Sequence, residues 1–417
     1  MGLHKKLLKI LNKEKFSIKS IIWSVYAPSF LLSMGQGVLI PVLPIFARDT
    51  FQSGDLLVGF AIAARHFGTM GFDVPAGILI NRFGLNRTMI SGVILFGISA
   101  VIAGFSGSFS ILLFSRLLAG ASFALWSISR HAYIASVIPN ESRGKALSLF
   151  GGLGRIATII GPLLGGILAE FVSIRAPFFL QGGIALVTLM LILKTSVNYE
   201  LSQRKTNDGY LGDFKNTFSD HKNAYLTAGV AAIALQFLRA SREIVIPLWG
   251  DNIGLRKDEI GYITTLSFAV DSVMFPISGY VMDKFGRRFT GIPAFTILGF
   301  SLVLIGTINS PILFLTSYST LICASILSGV GNGISSGLVL TLGSDLSPPE
   351  NKGGFLGIWR LISDGGGAAG PTVMGLIANS FSLAIASYSS GFIALIGIFF
   401  LRFFVKETLI KKPKEED

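Results

Sequence analysis

The chain has 417 residues, 51% hydrophobic and only 14% charged, with 49 glycines and a formal net charge of +12. Soluble proteins carry about 25% charged residues and about 7% glycine, so this composition excludes a soluble globule. It also excludes a disordered chain, which needs low hydrophobicity, and leaves a polytopic membrane protein.

Residues 1–19 hold six lysines and read as a basic tail. Apolar spans follow near 20–45, 56–80, 88–106, 110–137, 146–170 and 177–194, making an N-terminal half over 20–194. The polar stretch 195–222 interrupts the pattern as a linker. Six more spans, near 223–248, 259–282, 290–308, 312–344, 355–378 and 385–404, make a C-terminal half over 223–404, and 405–417 closes as a charged tail. These runs are continuous and about 20 residues long, as spanning helices require; barrel strands would be about 10 residues and alternating. The expected fold is all-α, with twelve transmembrane helices in two pseudo-symmetric six-helix halves.

The lysines and arginines are distributed unevenly. The tails, the linker and the loops near 81–87, 139–145, 284–288 and 352 hold 24 of the 35, whereas the opposite side holds four: Arg48, Arg175, Arg256 and Lys257. By the positive-inside rule both termini and the linker are expected in the cytoplasm of a multi-pass cell-membrane protein. The same rule accounts for the basic balance without nucleic acid. A single cysteine, Cys323, and four scattered histidines provide no metal-ligand spacing, so neither metal nor other cofactor is expected.

The halves repeat internally. Gly77-Ile-Leu-Ile-Asn81-Arg82-Phe83-Gly84 aligns with Gly279-Tyr-Val-Met-Asp283-Lys284-Phe285-Gly286, and Pro139…Gly161-Pro162 aligns with Pro348…Gly370-Pro371. Parallel repeats of this kind place a substrate site between the halves, near the bilayer midplane.

Gly279–Arg288, ending in Arg287-Arg288, resembles the signature loop of the major facilitator superfamily, and Gly77–Arg87 is a weaker copy with Asn81 for the acid and Leu85-Asn86 for the basic pair. Arg116-Leu-Leu-Ala-Gly120 resembles the superfamily's span-four arginine motif. Gly161-Pro162-Leu-Leu-Gly165-Gly166 resembles the span-five motif of its drug–proton antiporters, with Ala157 in place of the leading glycine. The resemblance implies alternating access by rocking of the halves, with proton-driven export of a small molecule. Proton-coupled uptake of an organic anion or nutrient, and a transport-inactive sensor or scaffold, are the alternatives; no nucleophile–base pair suggests an enzyme. Gly77 and Gly279 would let helices approach closely, and the charged loops would latch the cytoplasmic side through a helix N-terminus. A plain topological role for these loops is the rival reading. Gly161-Pro162 would kink its helix, and Gly165, Gly166, Gly366 and Gly370 would offer flat packing surfaces.

Charges within spans are costly and are usually paired or face water. The superfamily resemblance implies that span five faces span eight, where Arg155, about 14 Å deep, and Asp271, about 18 Å deep, are expected to pair. The resemblance likewise sets span two against span eleven, so Asp73, about 12 Å deep, is expected between Arg360 at about 8 Å and Asp364 at about 14 Å. Asp73, Asp271 and Asp364 are the proton-coupling candidates, Asp73 first because its two neighbours act in opposite senses. Arg65, Arg116, Arg155 and Arg360 are candidates for substrate binding or charge pairing. Glu243 is expected to be held by Arg239 one helical turn away, and Arg130 is as consistent with snorkelling as with burial. The arginine excess within the spans favours an anionic or zwitterionic substrate, carried by a monomer.

Overall fold

A computed structural model of the chain describes residues 22–137, 140–195, 216–310 and 315–409. The basic tail before residue 22, most of the linker and the extreme C-terminus lie outside the described residues. Every regular element described is helical: α1 Ala27–Val38, α2 Leu43–Phe51, α3 Asp55–Phe83, α4 Leu85–Gly104, α5 Phe109–Val137, α6 Asn140–Phe171 and α7 Ala176–Thr195, then α8 Lys222–Asn252, α9 Lys257–Phe285, α10 Arg287–Gly306, α11 Ser317–Ile334, α12 Leu338–Leu346, α13 Lys352–Ser380 and α14 Leu383–Phe403.

Two pairs are broken spans. Pro41 and Pro44 withhold backbone donors where α1 bends by 41° into α2. Between α11 and α12 the chain turns through Gly337 at φ +80°, a left-handed conformation suited to glycine. Counting each pair once leaves twelve membrane-length segments. Ten are long and apolar enough to cross a bilayer. The other two, α3 and α13, each have 29 residues and carry Arg65 and Asp73 or Arg360 and Asp364. At 1.5 Å per residue such helices reach about 44 Å, beyond the roughly 30 Å hydrocarbon layer.

The two halves repeat in packing as well as in sequence. In the first, α1 packs on α6 and α7, α3 on α5, and α4 on α5 and α7. In the second, α8 packs on α13 and α14, α9 on α11, and α10 on α11 and α14. The halves meet along two seams, α3 with α13 and α6 with α9.

Both seams are tight at the end away from the termini. A Cβ on Gly166 would stand 2.6 Å from the Lys257 carbonyl, and one on Gly59 or Gly375 would collide with the backbone of Pro371 or Asp55. Arg48 pairs with Asp251 there, and Glu170 accepts the Lys257 backbone N–H at 3.0 Å. Gly161 and Gly165 bring α6 against Met34, Gly37 and Val38 of α1, and Gly366 and Gly370 bring α13 against α8. These are the flat surfaces expected from the sequence.

At the opposite end the expectation for Gly77 and Gly279 fails. Neither has an atom within 4 Å of where a Cβ would stand, and the same holds for Gly151, Gly152, Gly353 and Gly357. The halves part toward the end that carries the signature loops, so the conformation is open on that side. The reason is geometric: α3 and α13, and likewise α6 and α9, are held at backbone distance by the small residues at the far end and diverge from there.

This packing predicts a contrast between two glycine variants in thermal unfolding. Gly165→Ala should cost about 1–3 kcal/mol, since its Cβ meets backbone that cannot yield. Gly77→Ala should leave stability unchanged or slightly higher, because that site is open and alanine favours helix. Equal destabilisation by both would contradict the described opening.

Candidate transport site

The bend between α1 and α2 opens a cavity of about 170 Å³ between the halves, whose walls include Gln36, Arg65, Phe96, Arg116, Glu243 and Phe268. Arg65 comes from α3 and Arg116 from α5, while Glu243 comes from α8 and Phe268 from α9. Each half thus contributes charge and an aromatic ring. Arg116 is only 5% exposed, and its Nε and Nη1 meet no acceptor. Arg65 lies over the Phe123 ring at 6.0 Å.

Deeper in the bundle, Asp271 organises a cluster. Its Oδ1 accepts from Arg155 at 2.6 Å, its Oδ2 accepts from Asn332 at 2.6 Å, and Arg242 lies 3.5 Å away. Arg155 also donates to the Ser336 hydroxyl at 2.7 Å and stacks over Phe275 at 4.3 Å. The anticipated Arg155–Asp271 contact is present, and it is joined by two others: three groups from three other helices converge on Asp271.

Glu243 also departs from expectation. Arg239 does not turn to it; it donates to Gln236 at 2.9 Å and to the carbonyl and hydroxyl of Ser335 at 2.7 Å. That carbonyl also accepts the Leu338 N–H at 3.1 Å in the turn after α11, and its second lone pair takes the guanidinium. Glu243 makes no hydrogen bond or ion pair with any described residue and faces the cavity. Arg130 is buried, 5.8 Å over the Trp126 ring, rather than extended to the surface.

On the α3–α13 seam, Arg360 reaches Asp73 at 3.1 Å and Asp364 at 3.5 Å, so these three residues are brought together. The signature loops behave differently. Asp283 is 82% exposed and lies 4.0 Å from Arg287 of its own half, so the expected cross-half latch is not formed. Asn81 and Arg82 are exposed, with Arg82 over Phe83, and Lys284 bonds Tyr280 at 2.9 Å. Gly84 and Gly286, at φ +85° and +106°, make the turns that start α4 and α10.

Arg287 bonds Asp345 at the end of α12 at 2.8 Å. Glu407, just past α14, accepts the backbone N–H groups of Arg287 and Arg288 at 2.9 and 3.0 Å, capping α10. Thr408 donates to Asp345 at 2.6 Å. Asn332, Ser335, Ser336 and Glu407 were absent from the sequence-based candidates. The run Gly331-Asn-Gly-Ile-Ser-Ser-Gly337 was the available signal, since so much small and polar sequence inside an apolar span marks a break.

The Major Facilitator Superfamily model matches residues 28–242 and again 229–417, once per half. The chain belongs to this superfamily. It is 30% identical over 289 residues to multidrug resistance protein 2 of Bacillus subtilis, covering 67% of this chain and 70% of that one. It is 23% identical over 358 residues to the quinolone resistance protein NorA of Staphylococcus aureus, covering 85% and 89%. Among solved structures, the peptide transporter POT superposes with a TM-score of 0.77 at 12% identity, covering 91% of this chain and 93% of that one. The nucleoside transporter NupG gives 0.75 at 11%, covering 91% and 98%. The superfamily resemblance read from the signature loops is thereby established: this is a transporter of the major facilitator superfamily, similar to proteins named for multidrug and quinolone resistance.

Two outcomes follow from the superfamily member's charge layout. Asp271→Ala strands Arg155 and Arg242 and should cost about 3–5 kcal/mol, visible as a large drop in the melting temperature of purified protein. The second concerns Glu407. Burial acts to raise its pKa, but the backbone donors of Arg287, Arg288, Leu409 and Thr408 outweigh burial and hold it below the ordinary value. A depressed carboxyl stabilises above its unfolded pKa and loses that contribution as pH falls through the folded value. A spin label at position 406, in a Cys323→Ala background, should therefore become mobile only below the ordinary glutamate pKa of 4.5. In Glu407→Gln it should be mobile already at pH 7.

Proposed function

We propose that this superfamily member is a secondary active transporter that exports a small organic molecule in exchange for protons by alternating access. Both termini and the linker would face the cytoplasm. The observation that carries the reading is the Asp73–Arg360–Asp364 group, which joins the two halves at the edge of the opening. Rocking would move Arg360 and Asp364 relative to Asp73. A carboxylate favoured as an anion by one neighbour and as an acid by the other changes its proton affinity when those distances change. One pKa unit needs only about 1.4 kcal/mol of differential interaction.

The relatives named for multidrug and quinolone resistance support export. The guanidiniums of Arg65 and Arg116 at the cavity favour an anionic or zwitterionic cargo over a simple lipophilic cation. Asp271, held by two arginines and an amide, supports a standing bridge more than a proton carrier. Asp283 and the signature loops would engage across the halves in the opposite conformation, and the protein would work as a monomer.

The test uses proteoliposomes loaded with a small anionic or zwitterionic aromatic compound and given an imposed pH gradient. Asp73→Asn should abolish gradient-driven movement while leaving substrate exchange largely intact. Uphill transport with normal pH dependence in Asp73→Asn would make Asp73 structural. Orientation is checked separately: in a Cys323→Ala background, Gln52→Cys should label from outside intact cells and Asp208→Cys should not.

A further inference from the structure

The in-span charges divide into two groups. Arg155, Arg242, Arg239 and Arg360 each have anionic or polar partners within the bundle. The three at the central cavity, Arg65, Arg116 and Glu243, have none from the protein at hydrogen-bonding distance among the described residues. Arg116 is the most constrained: buried, with Nε and Nη1 both unmatched, and with Arg65 and Glu243 as its electrostatic neighbours. A buried guanidinium without an acceptor is costly, and a second one beside it adds repulsion. A carboxylate entering between them would satisfy donors in bidentate geometry and relieve that repulsion.

The opposite wall presents the complementary charge. Glu243 lines this cavity and the small recess beyond it toward Pro247 and Phe268, and Arg242 of the same helix is already committed to Asp271. Arg116 and Arg242 act on Glu243 only from beyond ion-pair distance, so among the described residues no cation contacts its carboxylate. Between the charged walls lie Phe96 and Phe268, one from each half, which suit an apolar ring. The volume sets the scale: an engineered cavity of about 150 Å³ holds benzene, and this one is about 170 Å³.

We infer that the central cavity binds a small zwitterion of about one ring, its anionic group between Arg116 and Arg65 on the N-terminal half and its cationic group at Glu243 on the C-terminal half. This deepens the export reading and rests on it only for the direction of travel. The ligand would bridge the halves, so a molecule carrying one charge alone would leave one wall uncompensated. Arg116 and Glu243 would then be specificity residues of opposite sense.

The test is calorimetric binding to purified protein with no gradient, using para-aminomethylbenzoate, its methyl ester and its N-acetyl derivative. These share one ring and are respectively zwitterionic, cationic and anionic. The zwitterion should bind about tenfold or more tightly than either derivative. Arg116→Gln should remove its advantage over the cationic ester, and Glu243→Gln its advantage over the anionic amide, with Arg116→Lys and Glu243→Asp retaining part of each. Should Arg116→Gln fail to fold, the wild-type ranking together with Glu243→Gln decides. Equal binding of the zwitterion and either derivative, binding of none of the three, or an unchanged ranking in the folded variants would overturn the inference. Zwitterion preference without pH-driven movement would overturn export and leave this site standing. Proton-driven transport without that preference would do the reverse.

Discussion

A charge inside a bilayer-spanning bundle must find a partner, and that constraint divides this protein into scaffold and site. Asp271 is the clearest case. It is 4% exposed and collects Arg155 from one half and Arg242 and Asn332 from the other. Removing it would leave two guanidiniums without compensation, so the helices α6, α8, α9 and α11 are bound to one another through one carboxylate. Because the cluster absorbs Arg155 and Arg242, the charges that remain at the cavity are few and their positions carry information.

Packing imposes the second constraint. Bilayer lipid gives helices little hydrophobic incentive to associate, so close approach of small residues has to supply contact. Here that contact is concentrated at the end away from the termini, where Gly59, Gly166, Gly261 and Gly375 bring the halves to backbone distance. The halves therefore have a tightly packed end and an open end, and Arg360 reaches Asp73 across the α3–α13 seam at 3.1 Å.

Much of this was legible in the sequence because membrane spans and repeats announce themselves. Continuous apolar runs located the spans, and the 24-to-4 bias of basic residues ordered the loops by side. Depth counting, together with the facing spans that the superfamily resemblance implies, brought Asp73 to Arg360 and Arg155 to Asp271. Helical spacing misled at Glu243: Arg239 lies one turn away, yet the turn in the broken tenth span offers Arg239 the carbonyl and hydroxyl of Ser335. A break in a distant helix leaves no mark on the sequence around residue 239. The signature glycines misled for another reason. A motif encodes contacts of every conformation in a cycle, whereas one structure displays only one of them, and Gly77 and Gly279 are open in this one.

The two signature loops are also unequal, and the inequality has a structural consequence. In the C-terminal half, Arg287 and Arg288 are tied to Asp345, to Glu407 and to the backbone at Arg402, which joins α10, α12 and the segment after α14. The aligned N-terminal loop has Leu85 and Asn86 where that arginine pair stands, so it cannot build the same knot. Leu85 instead turns inward and packs with Val25, Ile80 and Tyr133. One half therefore presents a loop braced by charge and helix capping, and the other a loop braced by apolar contact. Capping and ion pairing fix the direction of Arg287 and the neighbouring backbone, whereas apolar packing constrains position without orienting polar groups. Asp283 stands beside this braced segment, 82% exposed and 4.0 Å from Arg287, so its ion-pair contact among the described residues lies within its own half.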